Sequence, residues 1–426
     1  MSRYQPYPNY KDSGVNWLGE VPEHWEAKKL KYNLSLQTQK ITISGQIVIA
    51  LENIESKSGK YIATESSYQG EDVSFKSGDI LFGKLRPYLA KVYKCDSIGV
   101  AFGDLLTYRP TKDFDSSFAF YSLLSDEFIK IVDSSTYGTK MPRASSEFIN
   151  EMILPTPSYE EQTSIANFLD IQTTKIDTLI AKQQRMIELL GEKRSALISH
   201  AVTKGIDPDV AMKDSGAEWL GEVPEHWRMT KLKFIGEAII GLTYSPNDVT
   251  DEENGILVLR SSNVQNKKIT FDDNVYVNAE IPKRLLTQKN DILICSRNGS
   301  RSLIGKNAMI DVNSENLTFG AFMTMFRTPY SRYVFWVLNS AIFKYQSGTF
   351  LTATINQLTT GNLNNFDIPF PSNDEQTAIA NYLDIQTAKI DTLIAKARQA
   401  IELMKERRTA LISAAVTGKI DVRKAV

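Results

Sequence analysis

Two stretches of this chain occur twice, and the duplication constrains the fold more than any other feature. Lys11–Trp25 reads KDSGVNWLGEVPEHW and Lys213–Trp227 reads KDSGAEWLGEVPEHW, identical at 13 of 15 positions and 202 residues apart. Glu160–Lys182 reads EEQTSIANFLDIQTTKIDTLIAK and Asp374–Lys396 reads DEQTAIANYLDIQTAKIDTLIAK, identical at 19 of 23 positions and 214 residues apart. The chain is two copies of one plan: a leading segment, a variable region and a helical segment. The variable regions, residues 26–157 and 228–371, differ greatly from each other. Drift after a simple duplication blurs ends and middles alike. Matching ends with divergent middles imply that the ends meet the same partner twice, while the middles meet different things.

The helical segments carry start signals. Ser158-Tyr-Glu-Glu161 and Ser372-Asn-Asp-Glu375 fit the capping box, in which a serine oxygen and a glutamate satisfy unpaired N–H groups of the first turn. Pro157 and Pro371 stand just before and break any preceding element. Apolar residues then recur at helical spacing: Ile165, Leu169, Ile176, Leu179, Ile180, Ile187, Leu190 and Leu197, and in the second copy Ile379, Leu383, Ile390, Leu393, Ile394, Ile401, Met404 and Leu411. Leu169, Ile176, Leu190 and Leu197 keep a seven-residue register, interrupted by Gln183. Each helix should run about 40–44 residues, roughly 60–65 Å at ~1.5 Å per residue. Two near-identical stripes are most simply buried against each other as a coiled coil, with leftover surface for partners. The expected packing residues are Leu169, Ile176, Leu179, Ile187, Leu190 and Leu197, with Leu383, Ile390, Leu393, Ile401, Met404 and Leu411.

The variable regions read as mixed α/β domains. Asp79-Ile-Leu-Phe82, Asp291-Ile-Leu-Ile294, Gln46–Leu51, Gly255–Leu259 and Ala308–Val312 are short buried-strand runs, and Phe118–Leu124 and Tyr333–Asn339 are short helices. Each region predicts a curved, largely antiparallel sheet. The whole is an α+β chain with a pseudo-twofold internal repeat, in which two mixed α/β domains are separated by an antiparallel two-helix coiled coil. Its segments are 1–25 (leading segment), 26–157 (first domain), 158–227 (central helical spacer and second leading segment), 228–371 (second domain) and 372–426 (distal helical spacer).

Chemistry is harder to find. The chain lacks a Gly-x4-Gly-Lys-[Ser/Thr] phosphate loop, a Gly-x-Gly-x-x-Gly turn, a Pro-Pro-[Tyr/Phe] methyltransferase loop and a Gly-x-Ser-x-Gly elbow. Asp79 and Asp291 stand alone ahead of apolar runs and read as turn or strand-edge residues rather than nuclease carboxylates. Two cysteines, Cys95 and Cys295, lie in apolar strand-like stretches, so neither a disulfide framework nor a zinc site is expected. His24 and His226 occupy one place in the repeat, which implies packing or capping. No catalytic residue, metal site or cofactor of its own is expected. No apolar run approaches the ~18 residues of a membrane span, which predicts a cytoplasmic protein.

Polar clusters sit at equivalent places in both variable regions. Gly78–Tyr88 aligns with Asn290–Ser300, bringing Lys84 and Arg86, or Arg297, Asn298 and Arg301, into a loop after a strand. Near each region's end, Tyr137–Arg143 contributes Lys140 and Arg143, and Thr349–Gln357 contributes Thr352 and Asn356; Arg260 and Asn263 form a further cluster. Arg and Lys suit guanine edges and Asn and Gln suit adenine, so these eleven residues are candidate DNA readers. The net charge of −1 requires any such surface to be local. Residues 26–157 are neutral and residues 228–371 carry +3.

These motifs together resemble, over nearly the full length, the specificity (S) subunits of type I restriction-modification enzymes. The resemblance rests on Trp-Leu-Gly-Glu-Val-Pro-x-His-Trp twice, Gly78-Asp-Ile-Leu-Phe with Leu85-Arg-Pro-Tyr88, and Pro-x-Pro-Ser-x-x-Glu-Gln leading into each long helix. The second copy has Ser296-Arg-Asn where the first has Lys84-Leu-Arg. The resemblance implies two target recognition domains, each reading half of a bipartite asymmetric DNA site, with antiparallel helices as a ruler between them. It implies two methyltransferase (modification) subunits on the repeated segments, with restriction subunits (translocase and nuclease) joining outside. S-adenosylmethionine, ATP and Mg would belong to those partners. A DNA-modifying enzyme in its own right, or a purely structural coiled-coil scaffold, are the competing readings. The first lacks methyl-donor and metal motifs. The second leaves the divergent middles unexplained.

Overall fold

The computed structural model describes residues 4–350 and 356–423. The chain divides into two compact units, Met1–Gln184 with Ala397–Val426, and Arg185–Lys396. Each unit contains one leading segment, one variable domain and a stretch of both long helices.

In the first unit a four-stranded sheet is built from β1 (Leu34–Gln37), β2 (Ile80–Gly83), β3 (Val92–Lys94) and β4 (Leu105–Pro110), ordered β1-β4-β2-β3 and antiparallel throughout. A second sheet orders Lys40–Thr42, Glu71–Phe75, Gly99–Ala101 and Ile47–Ile49, the last two running parallel. The second unit repeats this plan with β5 (Glu237–Ile240), β6 (Ile292–Cys295), β7 (Asn307–Met309) and β8 (Met323–Arg327), ordered β5-β8-β6-β7. Its second sheet orders Val249–Thr250, Tyr276–Val277, Ile256–Leu259 and Thr318–Phe319, again with a parallel last pair. Each domain thus holds two four-stranded sheets where the sequence pattern predicted one sheet.

The reason lies in the central strands. A strand covered on both faces reads as an unbroken apolar run, and its side chains alternate between the faces. Ile80 and Phe82 join the core shared with the helices, whereas Leu81 and Cys95 join the core of the second sheet. In the second unit Ile292 and Ile294 face the helices, and Leu293 and Cys295 the other sheet. Burial pushes both cysteine thiols up from their ordinary pKa, so they pack as small apolar groups. Asp79 and Asp291 begin these strands almost fully buried, each held by a bidentate arginine from the neighbouring strand, Arg109 at 2.7 and 2.8 Å and Arg327 at 2.6 and 2.9 Å. They are structural residues.

The start and end of each variable region are zipped together. Glu26–Lys29 pairs antiparallel with Ile153–Thr156, and Arg228–Lys231 with Asp367–Phe370. From there the chain enters the long helices, Tyr159–Lys204 (46 residues) and Asn373–Val416 (44 residues), about 69 and 66 Å long at ~1.5 Å per residue.

At each helix start the repeated glutamate grips the repeated histidine. Glu161 accepts from Tyr7 Oη at 2.8 Å and lies 2.9 Å from His24 Nε2. Glu375 lies 2.7 Å from His226 Nε2, accepts from Trp227 Nε1 at 3.0 Å, and closes the full capping box with Ser372. Glu161 receives the serine cap on its N–H, but Tyr7 and His24 take its carboxylate, and the buried Trp25 Nε1 has no hydrogen-bond partner among the described residues. The next residue, Gln162 or Gln376, donates to the carbonyl of Pro157 or Pro371 at 2.9 and 3.0 Å.

The helices pack antiparallel within each unit. In the first, Ile165, Phe168 and Leu169 share a core with Ile412, Ala415 and Val416, and Arg408 Nε lies 3.1 Å from Asp177 Oδ1. In the second, Ile198, Ala201 and Val202 share a core with Ile379, Ala380 and Leu383, and Arg194 Nε donates to Asp391 Oδ1 at 3.0 Å. A turn of each variable domain braces this contact. Arg408 donates to the carbonyls of Lys57 and Ser58 at 3.0 and 3.4 Å, and Lys60 Nζ meets Asp177 at 2.9 Å. In the second unit Lys267, at a hairpin tip, sits 5.7 Å over the Trp336 ring, with Arg194 6.0 Å from the same ring.

Of the expected packing residues, Leu169, Ile176, Leu383, Ile390 and Ile401 are buried, and Ile187, Leu190, Leu197, Met404 and Leu411 half-buried. Leu179 and Leu393 lie outside the helix contact, 50% and 48% exposed, which leaves them for a partner rather than for the facing helix. The buried stripe steps by four from Ile176 to the half-buried Ile180, so Leu179, one residue earlier, turns about 100° away.

Asn53 and Asn263 anchor equivalent turns. Asn263 is fully buried; its Oδ1 accepts from Arg260 N at 2.9 Å, and its Nδ2 donates to the carbonyls of Thr270 and Asp273. Asn53 does the same with Ala50 N and the carbonyl of Ile62. Asn263 is thus a backbone-satisfying core residue and not a DNA reader, correcting that expectation. Replacing it takes the partner from the Arg260 N–H and the Thr270 carbonyl, while the Asp273 carbonyl keeps its bond from the Arg260 guanidinium. Asn263→Ala should cost about 2–3 kcal/mol, read as a lower denaturant midpoint at unchanged slope.

Glu375 generates a pH prediction. Burial pushes its carboxyl up, but the hydrogen bonds from His226, Trp227 and Ser372 outweigh this and hold it at about 2. A depressed folded-state value stabilises the fold fully above the ordinary carboxylate value and is lost as pH falls toward 2. Melting temperature should therefore fall between about pH 4.5 and 2, and fall less steeply in Glu375→Gln.

Candidate nucleic-acid interface

The loops after the central strands β2 and β6 are held by the same ladder. In the first unit Lys84 N donates to Asp104 O at 3.0 Å, Ala144 N to Lys84 O at 2.9 Å, and Arg86 N to Pro142 O at 2.8 Å. In the second, Ser296 N donates to Phe322 O at 3.0 Å, Leu358 N to Ser296 O at 2.7 Å, and Asn298 N to Asn356 O at 3.5 Å. Bridges pair Leu85 with Arg143 and Arg297 with Gln357. The ladder fixes the correspondence that sequence left uncertain: Lys84 matches Ser296, Leu85 matches Arg297, and Arg86 matches Asn298.

Around this shared backbone the two surfaces differ. The first presents exposed Arg86 and Lys140, with Tyr88 and Tyr137 49% and 65% exposed beside them. Arg86 adopts a left-handed backbone, φ 50°, as does Ala90 at φ 47°. Outside glycine such a conformation persists only where surrounding contacts fix it. Arg143 is drawn inward. Its guanidinium forks onto Asp104 at 2.9 and 3.0 Å, and this hydrogen-bonded carboxylate raises its pKa further. Lys84 Nζ lies 3.8 Å from the same carboxylate. Arg143 therefore fastens one loop to another.

The second unit carries a groove of about 1060 Å³ that gathers Arg260, Arg297, Asn298 and Asn356 around Phe322 and Tyr244. Arg297 is exposed and lies 5.2 Å over the Phe322 ring, itself 60% exposed. Asn298 is engaged on both amide atoms, accepting from Ser300 N at 2.9 Å and donating to Ser261 Oγ at 3.2 Å. Asn356 Nδ2 donates to Gly299 O at 3.2 Å, and Arg260 pairs with Asp273 at 3.0 Å. Arg301 is exposed and begins the short turn Arg301–Leu303, outside the groove lining. Thr352 lies outside the described residues.

Sequence reasoning missed Asp104 and Asp273, the acids that tie down Arg143 and Arg260. It also missed Phe322, which has no motif around it. Among the described residues no group of three or more His, Cys, Asp or Glu could hold a metal ion, and no helix is long and apolar enough to cross a membrane. The arrangement offers planar cations, amides and aromatic faces on braced loops, the chemistry suited to base edges and phosphates.

Known proteins share this organisation. Residues 224–403 match the family model of the type I restriction modification DNA specificity domain. The specificity subunit of the MjaVIII type I restriction enzyme of Methanocaldococcus jannaschii is 28% identical over 327 residues, 74% of this chain and 72% of that protein. A chain from a structure on complex assembly and conformational transition of the type I R-M system superposes with a TM-score of 0.75 at 16% identity, covering 93% of this chain and 98% of that one. The HsdS subunit from Thermoanaerobacter tengcongensis superposes at 0.56 and 16% identity, covering 94% and 98%. Those two likenesses give the fold. In sequence, across its second copy and beyond, the chain is thus similar to the specificity subunits of type I restriction enzymes.

Proposed function

We propose that this chain gives a type I restriction-modification complex its DNA sequence specificity. Its two domains read the two halves of a bipartite, asymmetric site, and the chain performs no catalysis of its own. The observation that carries the reading is the mounting of two unlike loop surfaces on duplicated supports. The His–Glu latch, the crossed Asp–Arg contacts and the loop ladder recur in both units, while the side chains presented differ.

The same duplication supports two modification subunits as partners. Each unit exposes an equivalent apolar set on its helices: Ile171, Leu179 and Leu403 in the first, and Ile385, Leu393 and Leu189 in the second, all between 42% and 57% exposed. Equivalent patches suit two copies of one partner. Methyl transfer needs a target base turned out of the stack, so S-adenosylmethionine would bind those subunits. ATP and Mg would serve restriction subunits in the full complex. The complex would act on double-stranded DNA in the cytoplasm, away from membranes.

Exchanging residues 26–157 for the matching region of another specificity subunit should change one half-site only, read by methylome sequencing in a host carrying the modification subunit. A change in both halves, or in neither, would sink the reading. Adding one helical turn to both long helices should alter the spacer and leave both half-sites intact. Binding by the complex with its modification subunits should weaken steeply with salt, because phosphate contacts release counterions.

A further inference from the structure

We infer that Arg86 and Arg297 are the base-reading cations of the two domains, each reading a guanine in its own half-site. This rests on the DNA-reading function proposed above. Four of the other candidates drop out on geometry, and Arg301 lies outside the groove lining. Arg143 and Arg260 are paired with Asp104 and Asp273, Lys84 stands near Asp104, and Asn263 is buried in a turn. Lys140 is exposed, but an ammonium is a point charge that suits a phosphate.

Arg86 and Arg297 differ from these in two ways. Their side chains are exposed: among the described residues Arg86 gives one long contact of 3.4 Å, to Lys140 O, and the Arg297 guanidinium carbon lies 5.2 Å from the centre of the Phe322 ring. Their backbones are fixed by the ladder, Arg86 N on Pro142 O and Arg297 N on Phe322 O. A fork on a fixed backbone loses little freedom on binding. A planar fork matches O6 and N7 of guanine in the major groove, which is the geometry that discriminates.

The left-handed φ of Arg86 adds to this, since the ladder holds it in a conformation that a free loop would leave, the more so ahead of Pro87, which favours an extended residue before it. Unit two offers Asn298 at the matching position, with its amide already engaged. The fork therefore comes from the preceding residue, Arg297, and Phe322 orients it.

The test uses the complete complex of this chain with its modification subunits, methylating a library of randomised duplexes that is then sequenced. Arg86→Gln should lower discrimination at one G·C pair of one half-site about 10–100-fold. Arg297→Gln should do the same in the other half-site. Arg86→Lys, which keeps the charge on an exposed position but lacks the planar fork, should retain affinity and salt dependence while discriminating less well at the same base. Lys140→Gln should weaken all sequences alike and leave the motif unchanged. An unchanged motif in Arg86→Gln and Arg297→Gln, or full discrimination in Arg86→Lys, overturns the inference. The exchange of residues 26–157 tells the two failures apart. If that exchange changes a half-site while Arg86→Gln does not, DNA reading stands and this residue assignment falls.

Discussion

An aspartate and an arginine 17 residues apart on each long helix decide how the two helices can lie. Asp177 faces Arg408 in the first unit, and Asp391 faces Arg194 in the second. Asp391 is the repeat of Asp177, and Arg408 stands where Arg194 does in the first copy, both at the 214-residue offset. Antiparallel, both aspartates meet arginines. Parallel and in register, aspartate would face aspartate and arginine would face arginine, and burying like charges together is costly. Arg408, with its side chain only 9% exposed, has the most to lose from a missing partner. The brace from each variable domain lands on this same contact, so the contact that sets helix direction also seats the domain.

Lys267 carries the largest electrostatic cost of that seating. Burial, helped by the nearby Arg194 and opposed by Asp391, lowers its pKa to about 8. A lysine at that value is close to shedding its proton at mildly alkaline pH. The Trp336 face and the Asp391 carboxylate keep the charged form in place.

Much of this was readable from the chain alone, for identifiable reasons. Ser158 and Ser372 mark the helix starts because a cap is a local event, complete within four residues. The strands from Ile80 and Ile292 announce themselves because burial on both faces leaves an unbroken apolar run. Leu179 and Leu393 misled because apolar residues three and four after Ile176 and Ile390 look alike in sequence, and only the later one turns inward. Asn263 misled for a deeper reason. A polar residue in a loop looks the same in sequence whether it reaches outward or satisfies a partner in the fold, and the acid that claims Arg143 lies 39 residues away. The crossed Asp–Arg pairs were present in the repeat and could have been found by writing one helix against the reverse of the other.

The paired strands at the two ends of each variable domain have a consequence for how such a molecule changes. Glu26–Lys29 against Ile153–Thr156, and Arg228–Lys231 against Asp367–Phe370, act as clasps that bring a domain's first and last residues side by side. Whatever is threaded between the clasps meets the remainder of the chain through a two-stranded neck. Mutations that remodel a loop surface need not be matched by mutations in the support, so the two can diverge at separate rates. A chain built this way can acquire a new target in one step while its scaffold stays as it was.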